Sequence, residues 1–445
     1  MPTQNFVKLH KKMKIGFVCP CDMHNFKPFR NPPLNALYFL TILEKTFGES
    51  ADVSLIDLRG VNKEHAIYYV PEKDIYFHSV ATIDYPEIVR IVQEMRNIYP
   101  KAVHIAGGVH INIFPKESLK IFDSIVLGEG ENLIIEIVKD VSESRLKKIY
   151  QEDKILDINA YPYPSRKYTP KSAVAEIGIL GGVYYNMPGT AVLLSRGCPF
   201  KCHFCANPVQ SAGRYRLPEL IIEEIEYLKN EYGIQCASIK DDNIISANVE
   251  ISKKTLLALK KTGIKWRGNC RANGISRDII KLAKEAGCVD LAIGIESVSQ
   301  QVLHNINKRL DLEKAKEFMS ILNEEKIGIR LNLIIGLPGE PKDIVQQSIE
   351  FVKNVKPSSV LLCVLTPIPG SEMYKNPQKF GMKMDPNITF DKLFNVFSRF
   401  DESEKPYMVF EYDKVTPFGE GKSSAEIIDN YQEIQTFLRE NKLTF

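Results

Sequence analysis

The 445-residue chain has no apolar stretch that reaches the ~20 residues of a membrane-spanning helix, so no transmembrane segment is expected. It also lacks an excess of charge of one sign. A formal net charge of +3 over this length gives no electrostatic case for nucleic acid or an anionic membrane as partner. No secretion signal is expected either: the short apolar run near the N-terminus ends at Pro20 and continues into polar sequence, unlike a signal peptide. Nine cysteines, an odd number without such a signal, point to a reducing cytoplasm rather than to a disulfide framework. What remains is the composition of an ordinary globular protein, 44% apolar and 25% charged, long enough for about three structural units.

Over the first third, short apolar runs at 14–18, 52–57, 74–80, 102–108 and 124–131 alternate with helical patterns at 32–47, 85–98 and 133–138. Continuous apolar runs are what strands buried on both faces look like, and the alternation predicts a doubly wound α/β domain over residues 1–140. In such sheets ligands sit beyond the carboxyl ends of the strands. The residues that follow the runs are Ser79, Thr82, Gly107, Gly108, Gly128, Glu129 and Gly130. One glycine marks a tight turn; three loops of this kind together favour a ligand. Prolines and glycines between 141 and 189 predict a linker.

A second unit is predicted over residues 190–380. It opens with the strand AVLLS (191–195) and continues with strands at 236–240, 264–268, 289–295, 329–336 and 360–365, separated by helices, a pattern that implies a parallel barrel or partial barrel. Its first strand leads into SRGCPFKCHFCANP, which places Cys198, Cys202 and Cys205 in one aromatic-rich loop. Thiolates are soft ligands for zinc or for an iron-sulfur cluster. Zinc needs a fourth ligand, and His203, wedged between Cys202 and Phe204, offers no usual zinc spacing. Cys236, Cys270, Cys288 and Cys363 lie in or near predicted strands and are read as small apolar fillers. Asp241, Asp242, Arg271, Glu296, GLPGE (336–340) and TPIPG (366–370) all fall at the carboxyl ends of strands, where a β/α barrel collects its chemistry. Residues 381–445 change character and read as a small α+β extension. Its eight Lys/Arg against twelve Asp/Glu argue against an RNA-binding tail.

These motifs carry a resemblance. Cys-x3-Cys-x2-Cys, with Phe204 before the last cysteine, resembles the radical S-adenosylmethionine (SAM) superfamily, and IKDDN, AIGIES, IIGLPGE and TPIPGS resemble the subgroup that pairs such a barrel with a cobalamin-binding domain. The N-terminal motifs PPLNALYFL, GGVH and VLGEGE are similar to that cobalamin domain. The resemblance implies a 4Fe-4S cluster on Cys198, Cys202 and Cys205, with one iron left for the amino and carboxylate groups of SAM. Reductive cleavage of SAM would give a 5'-deoxyadenosyl radical. It further implies Phe204, Asp241 or Asp242, Arg271 and Glu296 around SAM, and the N-terminal loops around cobalamin. Arg271 suits the carboxylate, because its planar fork matches two oxygens.

Cobalamin domains of the methionine-synthase type carry Asp-x-His-x-x-Gly. Here Asp22, Met23 and His24 are followed by Lys27 at the glycine position, and His24 is not taken as the cobalt ligand. The implied activity is methyl transfer from methylcobalamin to an unactivated carbon, with reduced flavodoxin or ferredoxin as electron donor and a small-molecule, lipid or peptide substrate. The alternatives are a cobalamin-dependent cyclisation or rearrangement without methyl transfer, a methylthiotransferase, and a sensor without catalysis. The methylthiotransferase would need a third N-terminal cysteine beside Cys19 and Cys21.

Overall fold

The computed structural model describes residues 6–21, 27–152, 154–206, 213–246, 248–273, 275–393 and 406–444. It divides into two compact units, residues 1–176 and 177–445.

In the first unit, strands β1 (Met13–Cys19), β2 (Ala51–Asp57), β3 (Ile75–Ser79), β4 (Val103–Gly107), β5 (Ser124–Leu127) and β6 (Ile149–Gln151) form one parallel sheet in the order 2-1-3-4-5-6. This is the doubly wound arrangement, with its crossover reversal between β1 and β3. Helices α1 (Leu34–Phe47), α2 (Tyr85–Ile98) and α3 (Leu133–Ser142) supply the crossovers. Leu40, Leu43 and Phe47 of α1 pack with Ile134 and Ile137 of α3 on one face, against Ile15, Phe17 and Phe77. Ile91 and Met95 of α2 cover the other face, against Val18, Ile56 and Tyr76. Burial on both faces is why these strands read as continuous apolar runs.

The second face also holds two buried histidines. His78 Nε2 and His104 Nδ1 lie 3.2 Å apart, and burial lowers the pKa of both, that of His104 to about 4. The expected linker is partly absorbed into this unit: β6 is its sixth strand, and the Arg166 side chain is fully buried.

The second unit is a six-stranded parallel sheet of β7 (Gly189–Val192), β8 (Cys236–Ile239), β9 (Lys265–Cys270), β10 (Cys288–Glu296), β11 (Gly328–Ile335) and β12 (Ser359–Val364), paired strictly in chain order. Between them run α4 (Pro218–Tyr232), α5 (Val249–Thr262), α6 (Arg277–Glu285), α7 (Gln300–Asn305), α8 (Leu312–Glu324) and α9 (Ile344–Val355). Local chemistry sets the ends of these helices. Asn248 caps α5 by accepting from the amides of Glu250 and Ile251, and the helix stops at left-handed Gly263. Burial alternates along β11, with Ile329, Leu331, Leu333 and Ile335 buried and Arg330, Asn332 and Ile334 half-buried on the opposite face. Buried Trp266, the chain's only tryptophan, donates from its indole to the Ala286 carbonyl at 2.8 Å.

The C-terminal helix α10 (Ser424–Glu440) starts at Ser423, whose hydroxyl accepts from the Glu426 amide at 3.2 Å. It buries Ile427, Tyr431, Ile434 and Leu438 on one face, as their spacing predicts. Beyond it, the Leu443 carbonyl accepts from the Val360 amide at 2.7 Å and Thr444 bridges Val360, which covers the outer edge of β12.

Candidate active site

The cysteine loop leaves the carboxyl end of β7 through Ser195–Arg196, which pairs antiparallel with Arg214–Tyr215, and then through Gly197 at φ 96°. The rest of the loop is tied down from outside. The His203 amide donates to the Ile306 carbonyl at 2.9 Å, its Nδ1 donates to the Asn305 carbonyl at 3.2 Å, and its carbonyl accepts from the Met373 amide at 3.0 Å. Asn307 Nδ2 donates to the Lys201 carbonyl at 2.7 Å. His203 is thus a structural staple between β10's following loop and the segment after β12. Cys202 is buried, Cys198 half-buried and Cys205 exposed. Among the described residues no three His, Cys, Asp or Glu side chains are gathered into a metal-holding group. Burial pushes the Cys198 thiol up, with Asp242 and Cys202 adding to that shift and Arg271 opposing it.

Arg271 reaches this loop from just past β9. Its guanidinium lies 3.8 Å from the Phe200 ring centroid, and Nη1 donates to Cys202 Sγ at 3.5 Å. Only 9% of the residue is exposed, yet Nε and Nη2 have no hydrogen-bond partner. Buried donors are almost always paired, and a buried cation even more so. Two unmatched N–H groups beside Cys202 therefore fit an anionic ligand with paired oxygens. The donor set and this orphaned fork together fit a cluster carrying SAM.

The two aspartates after β8 differ sharply. Asp241 is fully buried and accepts from the Leu194 amide at 2.8 Å and from Ser195 Oγ at 2.6 Å. Burial raises its pKa to about 7 against those hydrogen bonds. Its carboxylate is consumed in fixing the turn from β7 into the cysteine loop. Asp242 is exposed, close enough to Cys198 to raise that thiol.

Glu296 ends β10 with φ 70°, a left-handed conformation that non-glycine residues adopt only under constraint. The pairing of β10 with β11 shifts register between Gly294 and Glu296, and Lys308 Nζ donates to Glu296 Oε1 at 2.8 Å with both side chains nearly buried. The same ammonium stands 5.6 Å from the Phe204 ring centroid, so Phe204, Lys308 and Glu296 form one array beside the cysteine loop. Lys308 was not singled out from the sequence, because a lysine in NKRL reads as solvated surface.

The GLPGE loop is likewise engaged. Buried Glu340 accepts from the Gly336 and Leu337 amides at 2.8 and 3.0 Å, and the Lys422 ammonium stands 3.7 Å away. Burial raises the Glu340 pKa to about 7, with Lys422 opposing. Tyr412 donates to the Gly336 carbonyl at 2.8 Å, so the C-terminal extension is latched onto this loop.

In the N-terminal unit, Ser79, Gly107, Gly108, Gly128, Glu129 and Gly130 lie at or just beyond the carboxyl ends of β3, β4 and β5, as the sequence places them. Gly108 has φ 103°, and a Cβ there would meet the Val80 amide nitrogen at 2.7 Å, so the fold itself demands that glycine. Gly107 has ordinary φ, and its Cβ would meet nothing nearer than Val126 at 3.5 Å. Its bareness serves no internal packing, which fits a ligand resting on the backbone. Thr82 is buried, with its hydroxyl 3.4 Å from His110 Nδ1, and so points into the domain. Asp22, Met23 and His24 lie outside the described residues.

Residues 192–352 match the model of the radical SAM superfamily. The chain is 27% identical over 398 residues to an uncharacterised methyltransferase of Pyrococcus horikoshii, covering 82% of this chain and 83% of that one. The fold of nearly the whole chain is found in TsrM of Kitasatospora setae, a radical SAM methyltransferase whose structure holds cobalamin and a [4Fe-4S] cluster. The TM-score is 0.66, covering 92% of this chain and 88% of that one. The chain is a radical SAM protein, related to the cobalamin-dependent radical SAM methyltransferases. The TsrM likeness, at 16% identity, is one of fold. This radical SAM protein is also 26% identical over 318 residues to the anaerobic magnesium-protoporphyrin IX monomethyl ester cyclase of Rubrivivax gelatinosus, covering 66% of this chain and 56% of that one. No helix among the described residues is long and apolar enough to cross a membrane.

Proposed function

We propose that this protein is a cobalamin-dependent radical SAM C-methyltransferase. The observation that carries the reading is the union, in one chain, of a cysteine-loop barrel with a doubly wound sheet whose carboxyl edge is glycine-lined. When bound, a 4Fe-4S cluster supplies the electron that cleaves SAM, and methylcobalamin supplies the methyl group.

The chain's own residues do the positioning. Cys198, Cys202 and Cys205 hold the cluster. Arg271, already oriented by Phe200 and Cys202, offers Nε and Nη2 to the SAM carboxylate. Asp242 holds the SAM ammonium, while Asp241 fixes the backbone that presents the loop. Phe204, backed by Lys308 and Glu296, shapes the inner wall beside SAM. Ser79, Gly107, Gly128, Glu129 and Gly130 form the cobalamin platform.

Anaerobic reconstitution with iron, sulfide and cobalamin tests this. The expected products are 5'-deoxyadenosine together with substrate-dependent S-adenosylhomocysteine, and Cys202→Ala should abolish both. The likeness to the cyclase favours a second reading, in which the same cofactors drive ring formation. Deoxyadenosine without S-adenosylhomocysteine would select it.

A further inference from the structure

We infer that the interior of the barrel, below the cysteine loop, receives an anionic group of the substrate, a carboxylate or a phosphate, and that Arg267 is the residue that selects it. The proposal rests on the reading of this unit as a SAM-cleaving barrel and deepens it by naming the class of substrate.

A parallel β/α barrel is ordinarily filled by bulky branched side chains. Here the outward face of β9 holds Trp266, Gly268 and Cys270, all buried, with the Trp266 indole bonded to Ala286 at the end of α6. The opposite, inward face carries half-buried Arg267 and exposed Asn269. The same alternation leaves Asn332 and Ile334 of β11 and Leu361 and Cys363 of β12 half-buried inside, while their neighbours are buried outside. Interior positions that stay accessible line open space. Its floor is apolar: Ile179 and Leu180 pack there with Cys236, at the amino end of β8, and with Val289.

Above that floor lies a charged layer. Arg267 Nε donates to Ser238 Oγ at 3.3 Å, and Arg330 Nε donates to Asp290 Oδ1. Arg267 faces Asp290 across the pairing of β9 with β10, so one carboxylate serves two guanidiniums. The six strands carry a single other acid, Glu296 at the rim, and Lys308 holds it at 2.8 Å. Asp241, just past β8, is committed to Leu194 and Ser195. Against Asp290 the strands set Lys265, Arg267 and Arg330, so positive charge exceeds negative inside the barrel. Enclosed charge of one sign attracts its opposite, and the planar guanidinium fork matches the paired oxygens of a carboxylate or phosphate.

Depth then sets the orientation of the substrate. Arg267 precedes Arg271 by four residues. At ~3.3 Å per residue that is about 13 Å along the strand. The substrate enters anion first, and its reacting carbon stays at the rim beside SAM.

The test titrates inorganic phosphate, succinate and, as a neutral reference, succinamide onto reconstituted full-length protein. The protein is saturated with SAM and kept unreduced, so that Arg271 is already occupied. Phosphate or succinate should bind at low salt and succinamide should not, and the tighter of the two anions identifies the group. Arg267→Gln should weaken that binding about tenfold or more, and Arg267→Lys should restore most of it. Asp290→Asn removes the one carboxylate of the layer and should tighten binding several-fold, whereas Lys261→Gln, on the outer helix α5, should change nothing. A wild type that binds SAM but neither anion overturns the proposal. So does anion binding indifferent to Arg267→Gln, or weakened by Asp290→Asn as much as by Arg267→Gln. A reconstituted wild type that fails to bind SAM overturns the cofactor reading instead.

Discussion

Replacing Asp241 and Asp242 one at a time should separate architecture from ligand binding. In Asp241→Ala the Leu194 amide and the Ser195 hydroxyl lose their acceptor in a fully buried place. A buried polar group left unsatisfied costs roughly 1–3 kcal/mol, so two such groups predict a loss of about 2–6 kcal/mol. Asp242 is exposed, and Asp242→Ala should stay within about 0.5 kcal/mol of wild type. The assay is urea unfolding followed by the fluorescence of Trp266, which sits in the barrel unit alone and therefore reports that unit without interference from the other. SAM affinity is measured on the same variants. Asp242→Ala should weaken SAM binding without moving the midpoint, and Asp241→Ala should lower the midpoint whether or not SAM is present. An Asp241→Ala protein as stable as wild type, or an Asp242→Ala protein with undiminished SAM affinity, would refute the assignment.

Further outcomes follow from other parts of the structure. Arg271→Met removes a buried cation with two unmatched donors, so the ligand-free barrel should keep its stability. Loss of a charge-assisted pair, worth about 1.5–3 kcal/mol, should weaken SAM binding by roughly 10- to 150-fold in a direct titration. Glu340 has a folded pKa of about 7, raised from 4.5 by burial, so the folded barrel holds the extra proton between these values. Its stabilising contribution is present below about pH 4.5 and is lost, on the order of 3 kcal/mol, as pH rises through 7; Glu340→Gln should flatten that slope in Trp266-monitored urea midpoints. The N-terminal unit should respond in the opposite sense. Burial holds the His104 pKa near 4, so stability falls as pH drops below 6.5, which hydrogen exchange of β3 and β4 would register. Gly336→Ala puts a Cβ 2.9 Å from Ile427 at a residue with φ 91°, and should lower the barrel midpoint by about 1–3 kcal/mol.

The fold was legible wherever burial was two-sided. All five N-terminal runs and all six barrel runs became strands, because a strand covered on both faces has no choice but continuous apolar sequence. β6 escaped notice, since a three-residue strand with only Tyr150 buried leaves no such run. The cysteine loop and the position of Arg271 were legible from spacing. The difference between Asp241 and Asp242 was not, because adjacent residues are told apart only by the partners that Leu194 and Ser195 bring from another strand. The same holds for Lys308 with Glu296 and for His78 with His104, pairs made by tertiary contact across 12 and 26 residues of sequence.

The covering of β12 has a consequence for solution behaviour. A bare edge strand offers unpaired amides and carbonyls as a template for another chain. Here the Val360 amide is taken by the Leu443 carbonyl, and the chain beyond α10 reaches that bond only while the helix is docked through Ile427, Tyr431, Ile434 and Leu438. Loosening the helix would uncover the edge before the sheet itself melts. Substitutions on its buried face should therefore show themselves first as self-association, with cluster and SAM chemistry still intact in the fraction that stays monodisperse.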